Sequence, residues 1–263
     1  MGIATLSVAS LVIVGSGYSQ AVRDPVVRNA TFLMPTLPKE TGTVRLLLLA
    51  DLHVQAPDMT PARVERIVQK ANALRADIVV LAGDFRGTSF RASGAYEEAQ
   101  AIAPLAKLQA ATGVYAVLGN NDRARSDTAI AALSAAGITV LESRAVQLGP
   151  IALGGLRTRY GSTIRRLLAL QGTRILVSHS PDGFAQLPPG VHLMLAGHTH
   201  CGQVVLPFLG ALATGSQYGD RYRCGITVEN GRTLVVTAGL GTSNVPFRIG
   251  APPDMWLVEL KPS

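Results

Sequence analysis

Short apolar runs recur along the chain, each closed by polar residues. Residues 44–50 (VRLLLLA), 77–82 (DIVVLA), 114–118 (VYAVL), 173–177 (TRILV) and 191–196 (VHLMLA) read as buried strands. Between the first two lies a helix: Thr60 offers its side chain as a cap, Pro61 takes the first position, and Val64, Ile67, Val68, Ala71 and Leu74 fall on one face. Strand, helix, strand at this spacing is a βαβ unit, so those two strands run parallel. A second helix over residues 96–111, disturbed at Pro104, precedes residues 114–118, and a third covers 126–136. Short strands follow near 138–141, 144–148 and 151–155, then a basic helical piece. Beyond Gln203 the pattern is strand-like: 224–228, a turn at Glu229-Asn230-Gly231, 233–238 and a last strand at 255–260. Asn-Gly is a strong hairpin signal. No internal repeat or linker interrupts the series.

The opening of the chain follows a different pattern. Residues 3–14 (IATLSVASLVIV) are uncharged and mostly apolar, and small residues come next. A spanning helix needs about 20 apolar residues, so residues 1–21 read as an apolar leader, either a secretory segment with Ser19 and Ala21 as cleavage positions or a membrane anchor. A buried helix of the domain is the alternative. Residues 22–43, rich in Pro, Thr and charge, read as an extended lead-in with an edge strand, and residues 44–263 as one domain.

Composition narrows the class. The chain has 263 residues, 48% hydrophobic and 16% charged, which fits a buried globular core. A net charge of +7 points to an anionic partner: a phosphorylated substrate, an anionic lipid surface or nucleic acid. With 5% aromatic residues and no run of Lys or Arg, there is no dedicated nucleic-acid platform. The two cysteines, Cys201 and Cys224, are too few for a disulfide framework, and the sequence leaves open whether they pair.

What closes the apolar runs carries the chemistry. Asp51 and His53, Asp84, Asn120, His179, then His198 and His200 each follow one of them. Four of the five histidines stand at these strand ends, where α/β sheets bind ligands. Mixed His, Asp and Asn donors without thiolate suit manganese, iron or zinc. Two such cations about 3.5–4 Å apart clamp the attacking and leaving oxygens of a phosphoryl displacement and acidify a water into a nucleophile. That pair needs a shared carboxylate, and Asp84, directly after Gly83, is the candidate.

The segments DLH, GD, GN-D, H-x-P-D and GHTH, in this order, resemble the calcineurin-like metallophosphoesterase family over residues 44–260. The resemblance implies a four-layer αββα sandwich of two mixed sheets flanked by helices, with a dinuclear centre at its edge. It implies that Asp51, His53 and His200 hold one metal, that Asn120, His179 and His198 hold the other, and that Asp84 bridges and so takes part in catalysis. GHTH-x-GQ and the late GLGTS…R…P stretch are similar to a branch of membrane-linked or exported phosphodiesterases, some of them UDP-2,3-diacylglucosamine hydrolases of lipid A synthesis.

One departure bears on mechanism. The family usually carries histidine where Asn121 stands, an imidazole that contacts the phosphate and protonates the leaving oxygen. Asn121 donates a hydrogen bond but delivers no proton at neutral pH. Substrates with good leaving groups, phosphodiesters or pyrophosphates, are therefore expected over alkyl monoesters. The alternative is a scaffold of the same fold that binds metal and turns over weakly. Arg86, Arg123 and Arg248 are candidates to bind substrate phosphate. Asp122 and Asp182 are expected to orient loops, His192 to be structural, Cys201 to pack, and Arg157, Arg159, Arg165 and Arg166 to form a basic cluster.

Overall fold

Period-two alternation decides the layering. The computed structural model describes residues 14–89, 91–156 and 160–263. One six-stranded sheet is built from Val26–Met34 (β1), Val44–Leu49 (β2), Ile78–Leu81 (β4), Gly113–Ala116 (β6), Thr139–Val140 (β7) and Asp254–Pro262 (β16), in the order β1-β16-β2-β4-β6-β7. The other comprises Ala145–Leu148 (β8), Ile151–Leu156 (β9), Thr173–Ser178 (β10), Leu193–Ala196 (β11), Gly225–Glu229 (β14) and Arg232–Val236 (β15), in the order β14-β15-β11-β10-β9-β8. Two small ribbons pair Gln55–Ala56 (β3) with Gly94–Ala95 (β5), and Val205–Leu206 (β12) with Gly210–Ala211 (β13).

On β2, Leu47 and Leu49 face Val64, Ile67 and Val68 of helix α1 (Pro61–Ala73), while Leu46 and Leu48 face Ile175, Val177, Leu193 and Leu195 of the second sheet. The outer face of that sheet, Leu176, Met194 and Leu234, packs on Ile164 and Leu167. Three buried clusters therefore separate four layers, helices on sheet on sheet on helix, as expected. The helices are α1, α2 (Glu98–Ile102) and α3 (Ser126–Ala135) on one side and α4 (Tyr160–Leu168) on the other.

Local sequence accounts for most boundaries. Thr60 Oγ1 accepts from Arg63 N ahead of Pro61, the cap that the sequence predicts for α1. β2 and β4 pair in parallel. The helix predicted over 96–111 breaks where Pro104 falls: α2 stops at Ile102 and Ala103–Lys107 continues as a 3-10 turn. Asn230 (φ 51°) and Gly231 (φ 71°) make the two-residue turn between β14 and β15.

The start of the chain is more integrated than the sequence implies. β1 pairs in parallel with the last strand, from Val26 opposite Asp254 to Met34 opposite Pro262, so the lead-in is the edge of the first sheet. Helical residues 14–22 sit against the domain: Arg248 N donates to Gly17 O (2.9 Å), and Arg63 Nη2 donates to Ala21 O (2.7 Å). Ala21 is buried, unlike a residue in an exposed cleavage loop. Residues 1–13, which carry most of the apolar leader, lie outside the described residues, as do Arg157 and Arg159 of the basic cluster. No helix among the described residues is long and apolar enough to cross a membrane.

Candidate metal centre

Each candidate ligand sits just past the carboxyl end of a strand: Asp51 and His53 after β2, Asp84 after β4, Asn120 after β6, His179 after β10, and His198 and His200 after β11. Asp51, His53, Asp84, His198 and His200 all hold a positive φ, between 44° and 72°. Such a conformation costs a non-glycine residue roughly 1 kcal/mol or more and persists only where the surroundings over-determine it. Here they do. Asp51 N donates to Gly83 O (2.9 Å) and His53 N to Asp84 O (3.0 Å), while His198 N donates to Asp51 Oδ2 (2.9 Å). The sheets press these loops together so closely that a Cβ on Gly119 would collide with the Asp84 carboxylate.

The donors converge. His53 Nε2 and His200 Nε2 are 3.0 Å apart, about the separation that bonds near 2.1 Å at right angles give two nitrogens on one cation. Asp51 Oδ1 lies 3.6 Å from His200 Nε2 and 3.9 Å from His53 Nε2. On the other side, His179 Nε2 is 2.9 Å from Asn120 Oδ1 and 3.0 Å from His198 Nδ1. His179 Nδ1 lies 2.7 Å from Ala82 O, which fixes that nitrogen as the N–H donor and leaves Nε2 with its lone pair toward the cluster. Asp51, His53 and His200 form one group able to hold a metal, and Asp51, Asp84 and His179 a second that shares Asp51 with it.

Two observations test whether a cation fits. Asp51 Oδ1 is buried without a hydrogen-bond partner, although it lies within 4 Å of the His53, His179 and His200 nitrogens. Burial, aided by the Asp84 charge, pushes the Asp51 carboxyl up to about 7 despite the pull of His179. Burial likewise pulls the His53 imidazole down to about 4 and lowers His200 and His198, keeping them neutral as ligands must be. Burial opposes charge at His179 as well, but the carboxylates of Asp84 and Asp51 outweigh it and raise that imidazole.

A sign follows for metal binding. Below pH 7 Asp51 carries a proton that a cation must displace, and His179 adds to that proton release. Affinity for Mn²⁺, measured by titration calorimetry from pH 5 to pH 8, therefore rises by about tenfold or more per pH unit below pH 7. A flat profile would remove Asp51 from the ligand set.

The other predicted residues divide sharply. Asn121 is at the centre: its backbone N and its Nδ2 each donate to Asp84, both at 2.8 Å, and its Oδ1 accepts from Thr88 Oγ1 (3.1 Å). Arg123 is exposed and lines a cavity of about 300 Å³ with Asn120, His179, Ser180 and His198. Arg248 does not meet the expectation that it binds substrate. Arg86 donates to Tyr96 O and pairs with Glu98. Arg248 is wholly buried and donates to Gly241 O, Ala238 O and Ala251 O, with Nη2 also 3.3 Å from His200 Nδ1. It holds the 238–251 segment against the His200 loop, a positioning residue with no route to a ligand.

Asp122 accepts from the backbone N of Asp84, Phe85 and Gly119, and Asp182 from Ser216 and Gln217, the loop-orienting parts expected of both. His192 accepts from Arg174 N. Cys201 departs from its expectation of inert packing: it is bonded to Cys224, tying the His200 loop to the start of β14. Sequence reasoning also passed over Gln203, whose amide donates to Ser243 O and Val245 O and accepts from Ser243 N. Its place at the end of GHTH-x-GQ was the available signal.

Buried imidazoles and carboxylates on the strand ends of a two-sheet sandwich are the equipment of metal-dependent phosphoesterases. The chain belongs to the calcineurin-like phosphoesterase family, whose profile matches residues 44–202. It is 29% identical over 271 residues to a transmembrane protein with metallophosphoesterase domain from Danio rerio, covering 93% of this chain and 59% of that protein. It is 31% identical over 211 residues to the putative metallophosphoesterase F40B5.2 of Caenorhabditis elegans, covering 71% of this chain and 42% of that one. The uncharacterized metallophosphoesterase YkuE of Bacillus subtilis (strain 168) is 27% identical over 266 residues, covering 94% of this chain and 90% of YkuE. The chain thus spans about half the length of the first two of these relatives.

Proposed function

We propose that this chain hydrolyses phosphodiester or pyrophosphate bonds at a membrane surface, using two divalent cations held side by side. The carrying observation is Asp84, whose Oδ2 lies 3.5 Å from Nε2 of both His53 and His179, between the two donor groups. Asp51, His53 and His200 would hold one cation and Asn120, His179 and His198 the other, with Asp84 shared; Asp51 reaches toward both. Manganese, iron and zinc suit these donors. Bound there, the cations supply Lewis acidity to the phosphoryl oxygens and acidify the attacking water.

The chain's own residues do the rest. Arg123, at the mouth of the cavity, receives the anionic substrate. Asn121 fixes the Asp84 carboxylate and brings no acid to the leaving oxygen. Substrates whose leaving group needs no protonation fit best, which favours diesters and pyrophosphates. A lipid-linked or sugar-nucleotide substrate of the kind taken by UDP-2,3-diacylglucosamine hydrolases follows from the GHTH-x-GQ resemblance, and an exported or membrane-associated location from the apolar leader. Two of the relatives are named transmembrane proteins, which supports the membrane part.

The test is turnover of bis(4-nitrophenyl) phosphate and 4-nitrophenyl phosphate with Mn²⁺, Fe²⁺ or Zn²⁺, followed by sugar-nucleotide and lipid pyrophosphates. The expected result is metal-dependent hydrolysis, abolished by chelation, with the diester preferred. Tight metal binding without turnover of any of these substrates would instead establish the scaffold reading.

A further inference from the structure

The two most exposed large apolar side chains among the described residues, Phe208 and Leu209, sit a few positions before Leu212, which lines a cavity shared with His198 and His200. In the hairpin that links β12 and β13, Phe208 is 108% exposed relative to a reference chain and Leu209 77%, and Leu212 just beyond is 66% exposed. Buried apolar area is worth about 25 cal/mol per Å², so a protein that leaves a phenylalanine and two leucines together in water forgoes stabilisation unless something covers them. A mostly apolar cavity of about 330 Å³ is lined by Val204, Leu212 and Val245 together with His198 and His200.

The same ladder holds the start of the chain. Val205 N donates to Ile249 O (2.8 Å), and the preceding Arg248 N donates to Gly17 O (2.9 Å). Gly17 approaches Phe247 so closely that a Cβ there would lie 3.1 Å from Phe247 Cβ. The helical residues 14–22, with Val14 exposed, are thereby tied to the segment that pairs with the base of the hairpin. The chain bears a net charge of +7.

We infer that the Pro207-Phe208-Leu209 tip is a wedge that enters the headgroup–acyl boundary of an anionic bilayer, setting the mouth of the metal centre at the lipid surface. Phe and Leu at a loop tip suit the shallow insertion that interfacial elements make, and anionic lipid adds long-range attraction to the cationic chain. The cavity lined by Leu212 then offers an acyl chain room beside His198 and His200. This inference rests on the membrane part of the proposed function and is independent of the metal chemistry.

The experiment uses the full chain carrying Phe208→Trp, with vesicles of phosphatidylcholine and phosphatidylglycerol whose acyl chains are brominated. The one native tryptophan, Trp256, is 7% exposed in the core and serves as background. Expected on vesicle addition is a blue shift of the new emission and its quenching by at least half, with neither change for Val228→Trp on β14. In parallel, Phe208→Ser with Leu209→Ser lowers vesicle affinity at least tenfold and leaves bis(4-nitrophenyl) phosphate turnover within twofold. An emission already blue without lipid and indifferent to vesicles would mean that residues 1–13 or a second copy cover the hairpin, and would overturn the inference. So would vesicle binding without quenching. Failure of turnover in the unaltered chain counts against the phosphoesterase reading alone.

Discussion

Asp84→Asn is expected to lower kcat for bis(4-nitrophenyl) phosphate by on the order of 10³-fold, because in the proposed dinuclear site a shared ligand would supply several kcal/mol of transition-state charge stabilisation through the cations it would hold. Its Oδ2 stands equidistant, at 3.5 Å, from the His53 and His179 nitrogens, and burial is outweighed by those two imidazoles to keep the carboxyl below its ordinary range. An asparagine keeps the shape and the acceptor but loses the negative charge that lets two cations sit close. The accompanying measurement is metal stoichiometry by elemental analysis, expected to fall from two per chain toward one. Full stoichiometry with unchanged kcat would show that Asp84 is a bystander and would end the dinuclear reading.

The second large effect is a gain. Asn121→His is expected to raise the ratio of monoesterase to diesterase activity by about 10²-fold, the low end of what general acid catalysis contributes. Asn121 is partly exposed, and its amide already hydrogen-bonds Asp84, so an imidazole there would lie beside a carboxylate. Below its pKa such an imidazole carries the proton that the leaving oxygen needs. The gain should therefore be present on the acid side of the profile and fade as pH rises through that pKa. A ratio unmoved at every pH would mean that leaving-group protonation is not what limits monoesters here.

Much of the centre was legible because metal ligation restricts residue types and α/β sheets restrict their place. Apolar runs such as 44–50 and 191–196 announce themselves as strands, and an Asp or His directly after each can point only to one edge. The layering was legible for a similar reason, since helix α1 shows its apolar stripe openly. Arg248 was not. A charged residue in a Pro- and Gly-rich stretch reads as solvent-facing or ligand-facing, and nothing in its neighbours reveals that several backbone carbonyls surround it. The positive φ values of the ligands are equally silent in sequence, because these residues are neither Gly nor Asn and the conformation is imposed by contacts between sheets.

The pairing of β1 with β16 was hidden by distance, since its partners lie more than 200 positions apart and β1 has only a weak alternating pattern. Its consequence is practical. The family profile begins at residue 44, and a truncation made there would strip the strand that seals one flank of the molecule. The whole length of β16, from Asp254 to Pro262, would then present unsatisfied amide and carbonyl groups to its neighbours in solution, an open invitation to intermolecular strand exchange and precipitation.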